Sequence, residues 1–164
     1  MKALPYGISD FPRIMRKNYY YVDKSRYIEM IERQPSYLFL IRPRRFGKSL
    51  FLAMLETYYS IDYADSFEEI FGELYIGKHP TPDRNKYLVL TLNFSSVAAN
   101  MDRLEETFNT YCKIVMDGFA ERNAHLLGKE AVEKLHELKT GDALLGSLCQ
   151  SAQNKGQKIY LILD

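Results

Sequence analysis

The stretch Tyr37–Leu50, YLFLIRPRRFGKSL, decides how the rest of the chain is interpreted. Its first five residues, 37–41, are a continuous apolar run of strand length, which is typical of a strand buried on both faces of a parallel sheet. A loop occupies 42–47, and from Lys48 to about Tyr59 apolar residues recur at helical spacing. The order of buried strand, glycine-containing loop and amphipathic helix predicts a phosphate-binding loop.

The tripeptide Gly47-Lys48-Ser49 supplies the chemistry of that loop. A glycine lets the backbone approach phosphates, whose oxygens accept hydrogen bonds from successive amides at a helix N-terminus. We expect Lys48 to reach the β- and γ-phosphates and the Ser49 hydroxyl to bind Mg2+. The tripeptide alone is a weak signal, and the strand before it and the helix after it carry the inference. The predicted nucleotide-binding residues are Arg44, Arg45, Phe46, Gly47, Lys48, Ser49 and Leu50.

One position departs from the usual G-x-x-x-x-G-K-[ST] pattern, because Arg42 stands where the first glycine would fall. Pro43 fixes its own φ and restricts the residue before it, so the pair favours an extended exit from the strand. Two further arginines, Arg44 and Arg45, could bind phosphate through bidentate hydrogen bonds. The alternative for both is a solvated loop charge that faces solvent or nucleic acid.

A second predicted site residue is Asp164, which follows the apolar run 160–163. That run predicts a buried strand, and in parallel sheets ligands bind at the carboxyl ends of the strands. There the Asp164 carboxylate could hold Mg2+ directly or through water. An aspartate after an apolar strand is by itself more often a turn residue, and its pairing with Lys48 and Ser49 favours the metal role.

The remaining elements predict the fold class. Apolar runs at 87–94 and 158–164 predict two more strands, and helical periodicity or capping signals predict helices at 24–32 after an Asp23 N-cap, 101–123, 129–138 and 142–154. Strands that alternate with helices indicate an α/β fold with a mainly parallel sheet and flanking helices. No repeat or Gly/Ser linker divides the sequence, so we expect one domain over 1–164.

Composition and charge narrow the class of protein and of ligand. The chain has 164 residues, 46% hydrophobic and 26% charged, which argues against disorder, collagen and coiled coil. Residues 1–50 hold eleven of the 22 Lys and Arg but only four of the 21 Asp and Glu, so this third suits an anionic ligand, or else a solvated face that pairs with the acidic remainder. No apolar run approaches the roughly 20 residues of a membrane span, so no membrane partner is expected. Cys112 and Cys149 lack metal-ligand spacing, which favours core packing for both and a reduced, cytoplasmic setting.

Four segments resemble the AAA-ATPase-like family of bacterial proteins: 4–11 (LPYGISDF), 21–25 (YVDKS), 40–50 (LIRPRRFGKSL) and 93–95 (NFS). The resemblance implies a P-loop NTPase fold of the additional-strand type, with ATP and Mg2+ as ligands. It implies that Arg42 belongs to a Walker A variant of the family's own. Many longer members carry a downstream domain similar to PD-(D/E)XK nucleases. The resemblance therefore implies such a domain as a partner of this one.

The resemblance also bears on catalysis. In the family the Walker B aspartate is usually followed by a glutamate that activates the attacking water. In the additional-strand topology a further strand lies between the Walker A and Walker B strands. The sequence stops at Asp164, so the resemblance implies the N-terminal portion of a longer ATPase that hydrolyses the β–γ bond in its full-length context.

Two other functions are open at this stage. A degenerate NTPase could serve as a scaffold or sensor, or could contact nucleic acid through its basic N-terminal third, where Arg13, Arg16 and Lys17 adjoin the aromatic run 19–21. Core packing and solvated charge explain the same residues equally well. A P-loop kinase is disfavoured, because no lid or acceptor motif is recognisable.

Overall fold

The computed structural model describes residues 2–35, 37–43, 45–97 and 101–164. The chain divides into two compact units: the first ends at Lys86, and the second runs from Tyr87 to Asp164. Each unit has its own buried apolar residues.

The first unit is helical. Its helices are α1 (Phe11–Arg16), α2 (Tyr27–Glu32), α3 (Lys48–Tyr59), α4 (Phe67–Phe71) and α5 (Tyr75–Lys78), and a 3-10 turn, Ile61–Tyr63, follows α3. Aromatic rings fill its core: the Phe71 ring lies 5.3 Å from that of Phe11 and 5.5 Å from that of Tyr58, and all three side chains are fully buried. Burial of these large rings holds α1, α3 and α4 together, since apolar area removed from water is the main favourable term in folding.

The prediction of a buried strand at 37–41 is wrong for this structure. These five described residues adopt no strand, and Tyr37, Phe39 and Ile41 are each about nine-tenths exposed (89%, 92% and 91%). A strand needs backbone partners for its amides and carbonyls, and the strands among the described residues, in the second unit, pair with each other. An apolar run shows that a segment can be buried, but it does not supply the neighbour that buries it.

The second unit combines a small sheet with helices. Strands β1 (Leu88–Leu92) and β2 (Ile159–Leu163) pair in parallel over five residues each, from Leu88 opposite Ile159 to Leu92 opposite Leu163. Its helices are α6 (Leu104–Arg122), α7 (Ala124–Leu127), α8 (Lys129–Glu137) and α9 (Gly141–Asn154), with 3-10 turns at Phe94–Ser96 and Met101–Arg103. Helix α6 packs against both α8 and α9, around buried residues such as Met116, Phe119 and Leu148. The described chain is thus a mixed helix-and-sheet protein with a parallel strand pair, which is compatible with the predicted α/β class.

Two local predictions need correction, and one helix lacks a prediction. Asp23 does not cap α2, which begins at Tyr27: its carboxylate accepts hydrogen bonds from the amides of Ser25 (2.7 Å) and Tyr75 (2.8 Å), so it ties the chain before α2 to the start of α5. Cys149 is exposed, whereas Cys112 is buried as expected. Helix α1 was not predicted, although the Asp10 side chain accepts from the Arg13 amide (2.9 Å) and Pro12 occupies the first turn, both of which are N-terminal signals.

A close helix contact in the first unit gives a stability prediction. A Cβ at Gly77 in α5 would collide with the Phe71 carbonyl oxygen, so Gly77→Ala is expected to destabilise the protein by about 1–3 kcal/mol, as other overpacked substitutions do. Gly146 in α9 is exposed and has nothing within 4 Å of the same position, so Gly146→Ala is expected to stabilise by up to about 1 kcal/mol. Urea unfolding of both variants measures the difference, and equal free energies of unfolding would contradict the close contact.

Candidate phosphate-binding site

The site begins at the N-terminus of α3, where Gly47 is the N-cap and Lys48 the first helical residue. Gly47 has φ 72° and ψ 27°, a left-handed conformation that glycine adopts freely and that other residues adopt at a cost of about 1–2 kcal/mol. Its carbonyl accepts from the Phe51 amide (3.0 Å), which closes the first turn. The predicted helix at 48–59 is confirmed, and glycine stands where the backbone turns into it.

Arg42 has a structural role that the sequence pattern did not predict. Its guanidinium donates from Nη1 to the Phe46 carbonyl (3.4 Å) and lies 5.6 Å from the centre of the Phe51 ring. The Phe46 amide in turn donates to the Pro43 carbonyl (3.3 Å). Arg42 therefore spans the loop and contacts the first turn of α3, at the position where the usual pattern has its first glycine.

The loop is open to a ligand. Arg45, Gly47, Lys48 and Ser49 are exposed, Phe46 is 66% exposed and Leu50 is half-buried. The first amides of any α-helix have no acceptor within the helix, and the helix dipole adds positive potential there. No acidic residue occupies the first turn of α3. These features suit an anion. Arg44, also predicted to bind phosphate, lies outside the described residues.

Asp164 follows β2 directly, as predicted. Its amide donates to the Leu92 carbonyl (2.9 Å) and its own carbonyl accepts from the Phe94 amide (3.0 Å), so the parallel pairing continues beyond Leu163. Asn93, next after β1, lies at the same carboxyl edge, and its side chain accepts from the Ser95 amide (3.0 Å). Sequence reasoning did not single out Asn93 as a site residue, although a polar residue directly after a strand is a usable signal.

Ser49 and Lys48 belong to the first unit and Asp164 to the second. A joint role of Ser49 and Asp164 in binding Mg2+ thus stays a prediction. No group of three or more His, Cys, Asp or Glu able to hold a metal ion occurs among the residues described.

A comparison with protein families decides the assignment. The model of the family described as "Predicted AAA-ATPase" matches residues 5–164, nearly the whole chain. The chain belongs to this family. The resemblance found in the sequence is thereby confirmed at the level of the family.

Other comparisons add little to this family assignment. A protein of Azotobacter chroococcum mcd 1, described as "Uncharacterized protein in vnfD 5'region", is 51% identical over 55 residues, which is 33% of this chain and 11% of that protein. The chain therefore spans about a tenth of the length of this curated relative. No solved structure matches.

The basic N-terminal third of the chain is in part engaged in internal contacts. Arg16 donates from Nε to Glu69 (3.1 Å) and from Nη2 to the Ser66 hydroxyl (3.2 Å). Tyr21 packs edge-on against Phe11, and its hydroxyl donates to the Met54 sulfur (3.3 Å). Burial raises the pKa of Tyr21 to about 12. Core packing thus accounts for Tyr21 and an ion pair for Arg16. In the part of the chain that the structure describes, no helix is long and apolar enough to cross a membrane.

Proposed function

We propose that this predicted AAA-ATPase binds ATP with Mg2+ through the loop before α3, on a P-loop NTPase fold. The observation that carries the proposal is the left-handed Gly47 at the N-terminus of α3, with Lys48 and Ser49 exposed directly after it. Backbone amides and a helix dipole at one point favour an anion, and an adjacent lysine adds a full positive charge.

The proposed roles follow the chemistry of each group. Gly47 and the amides of the first turn of α3, Lys48 to Leu50, surround the phosphates, and Lys48 neutralises charge on the β- and γ-phosphates. Arg44 and Arg45 add guanidinium contacts to phosphate oxygens. Ser49 and Asp164 supply oxygen ligands to Mg2+, which prefers hydroxyl, carboxylate and water oxygens.

Hydrolysis of the β–γ bond is proposed for the full-length protein. Phosphoryl transfer needs a residue that orients or deprotonates the attacking water, besides the metal and the phosphate loop. The roles proposed above are those of binding and charge neutralisation, so nucleotide affinity tests them more directly than turnover.

Metal dependence provides the test of this proposal. A fluorescent ATP analogue is titrated against the wild-type chain with Mg2+ and with EDTA, and ATP, ADP and AMP compete for it. We expect binding to weaken without Mg2+, and we expect two substitutions to reduce this Mg2+ effect. Ser49→Ala removes a hydroxyl ligand, and Asp164→Asn replaces a charged carboxylate by a neutral, weaker amide oxygen. Equal competition by ATP and AMP would contradict a site built for the β- and γ-phosphates.

An oligonucleotide titration distinguishes the alternative function. Binding to nucleic acid through basic residues falls steeply with salt and does not depend on Lys48 as a phosphate-loop residue. We expect an oligonucleotide to compete poorly with the ATP analogue at physiological ionic strength. Strong, salt-sensitive binding that survives Lys48→Ala would favour the nucleic-acid function instead.

A further inference from the structure

A polar cluster holds the C-terminal end of α3, at the opposite end from the phosphate loop. Glu32, the last residue of α2, accepts two hydrogen bonds at the same oxygen, Oε1: one from the Thr81 hydroxyl (2.7 Å) and one from the Tyr59 hydroxyl (3.2 Å). Tyr59 is the last residue of α3. One carboxylate oxygen therefore connects α2, α3 and the loop that follows α5.

Thr81 and Tyr58 bond to each other in both directions. The Thr81 amide donates to the Tyr58 hydroxyl (2.8 Å), and the two hydroxyl oxygens lie 2.9 Å apart. Because the single hydroxyl proton of Thr81 goes to Glu32, Tyr58 is the donor in that second bond. Burial raises the pKa of Tyr58, which keeps its donor proton in place. The hydrogen bonds therefore run from the Tyr58 hydroxyl to Thr81 and from the Thr81 hydroxyl to the Glu32 carboxylate, which only accepts.

The loop 79–85 also caps α3. The Asn85 amide donates to the Tyr58 carbonyl (3.0 Å), and the Asn85 side chain donates to the Ser60 carbonyl (2.7 Å). These are acceptors at a helix end, where the last carbonyls have no donor within the helix. Arg84 from the same loop lies 4.4 Å from the centre of the Phe67 ring, so the loop is held against α4 as well.

We propose that Glu32 is a positioning residue for the phosphate-binding loop. By holding Thr81 and Tyr59 it fixes the C-terminal end of α3, and α3 transmits that constraint to Gly47, Lys48 and Ser49 at its other end. The helix has 12 residues and so is about 18 Å long, a rigid rod whose tilt is set by how both ends are held. This inference rests on the proposed nucleotide site, but the constraint itself can be measured without nucleotide.

The charge of Glu32 adds a pH-dependent prediction to the proposal. Burial, more than any other cause, raises the pKa of the Glu32 carboxyl, and the nearby Asp83 and Glu29 carboxylates raise it further. An open cleft of about 510 Å³ adjoins it, lined by Glu29, Glu32, Arg33, His79, Pro80, Thr81 and Pro82. Arg33 pairs with Glu29 at 3.9 Å, and the His79 ring stacks on Tyr75. Among the described residues, the charged or titratable groups near Glu32 are Glu29 on α2, Arg33 directly after α2, His79 and Asp83 in the loop, and Tyr58 and Tyr59 on α3; Arg84 lies near Tyr58.

The sign of the pH effect follows from this raised pKa. Above the unfolded pKa of about 4.5, the unfolded state loses the Glu32 proton before the folded state does. The contribution of Glu32 to the free energy of unfolding is therefore largest at acid pH and declines as pH rises through the folded pKa. Glu32→Gln imitates the protonated acid and can still accept from Thr81 and Tyr59, so it is expected to abolish this decline.

Amide hydrogen exchange without nucleotide tests the constraint. We expect Glu32→Ala and Thr81→Val to speed exchange at the helix end (residues 58–60), in the loop (79–85) and at 51–54, the first amides of α3 with an acceptor inside the helix, by at least about fivefold at each place. Glu32→Gln should restore wild-type exchange. The matched control is Glu29→Gln, one helical turn away, which removes the same charge from a half-buried carboxylate paired with the exposed Arg33 and should leave exchange at all three places unchanged.

Nucleotide affinity is then measured for the same variants. The affinity for the ATP analogue should fall about three- to tenfold in Glu32→Ala and Thr81→Val and should return in Glu32→Gln. Faster exchange confined to 58–60 and 79–85, with 51–54 unchanged, would overturn the positioning role. If the wild-type chain binds no nucleotide, the proposed function fails, while exchange at 51–54 still decides whether Glu32 positions the start of α3. Should Glu32→Ala not fold, Thr81→Val tests the same constraint, because valine keeps the shape of threonine and lacks the hydroxyl that donates to Glu32.

Discussion

Replacing Lys48 by alanine is expected to weaken binding of a fluorescent ATP analogue at least about tenfold. A charge-assisted hydrogen bond contributes about 1.5–3 kcal/mol, and about 1.4 kcal/mol corresponds to a tenfold change in affinity. Lys48 is exposed at the first turn of α3, a turn without acidic residues, so its loss removes a cation directly beside the proposed phosphates. The fold should be kept, since an exposed lysine buries little surface.

The control for this prediction is Lys17→Ala. Lys17 is an exposed lysine of the same basic third, at the end of α1, and its removal changes net charge equally. If the loss in Lys48→Ala is local, Lys17→Ala should bind the analogue as the wild type does, at low and at physiological salt. Equal weakening by both substitutions would show that general charge, rather than the loop before α3, attracts the nucleotide.

Local patterns in the sequence predicted the elements whose causes are local. Helix α3 was predicted over 48–59 because its apolar face repeats within the helix itself, and the structure has the same bounds. Apolar and β-branched runs predict strands at 87–94 and 158–164, and the helices between them predict parallel pairing. The structure has these strands at Leu88–Leu92 and Ile159–Leu163, paired in parallel. In these elements short-range propensity and the final fold agree.

The wrong predictions concern segments whose structure depends on partners distant in the sequence. The run at 37–41 has the composition of a buried strand but no strand partner among the described residues, so composition alone misled. Asp23 looked like a helix cap and instead accepts from Tyr75, 52 positions away. Such bonds depend on which segments fold together, and no window of neighbouring residues contains that information.

The candidate site likewise has residues that local sequence predicts and residues whose contacts are distant in the sequence. Gly47, Lys48 and Ser49 were recognisable because the chemistry of the motif requires adjacent residues at a helix start. Glu32 was not, because its donors Tyr59 and Thr81 are 27 and 49 positions away. Arg42 was recognised only as a departure from the pattern, whereas the structure shows it bonded across its own loop.

Replacing Gly47 by valine is expected to abolish most nucleotide binding while leaving the fold nearly intact. The left-handed φ of 72° is strained for any residue with a Cβ and most strained for a β-branched one, so the backbone at the start of α3 should rearrange. The cost to stability should be only about 1–2 kcal/mol, because nothing lies within 4 Å of the new Cβ. The loss of affinity should exceed tenfold, since several amides lose their orientation together.

Gly146→Val provides the comparison that isolates backbone geometry from side-chain bulk. Gly146 also has open space around its Cβ position but lies inside α9, where valine is acceptable, so binding should not change. Urea unfolding and analogue titration of both variants give the two quantities needed. If Gly47→Val binds the ATP analogue as tightly as Gly146→Val does, the left-handed turn is not what presents the amides to phosphate, and the proposed site would have to depend on Lys48 and the arginines alone.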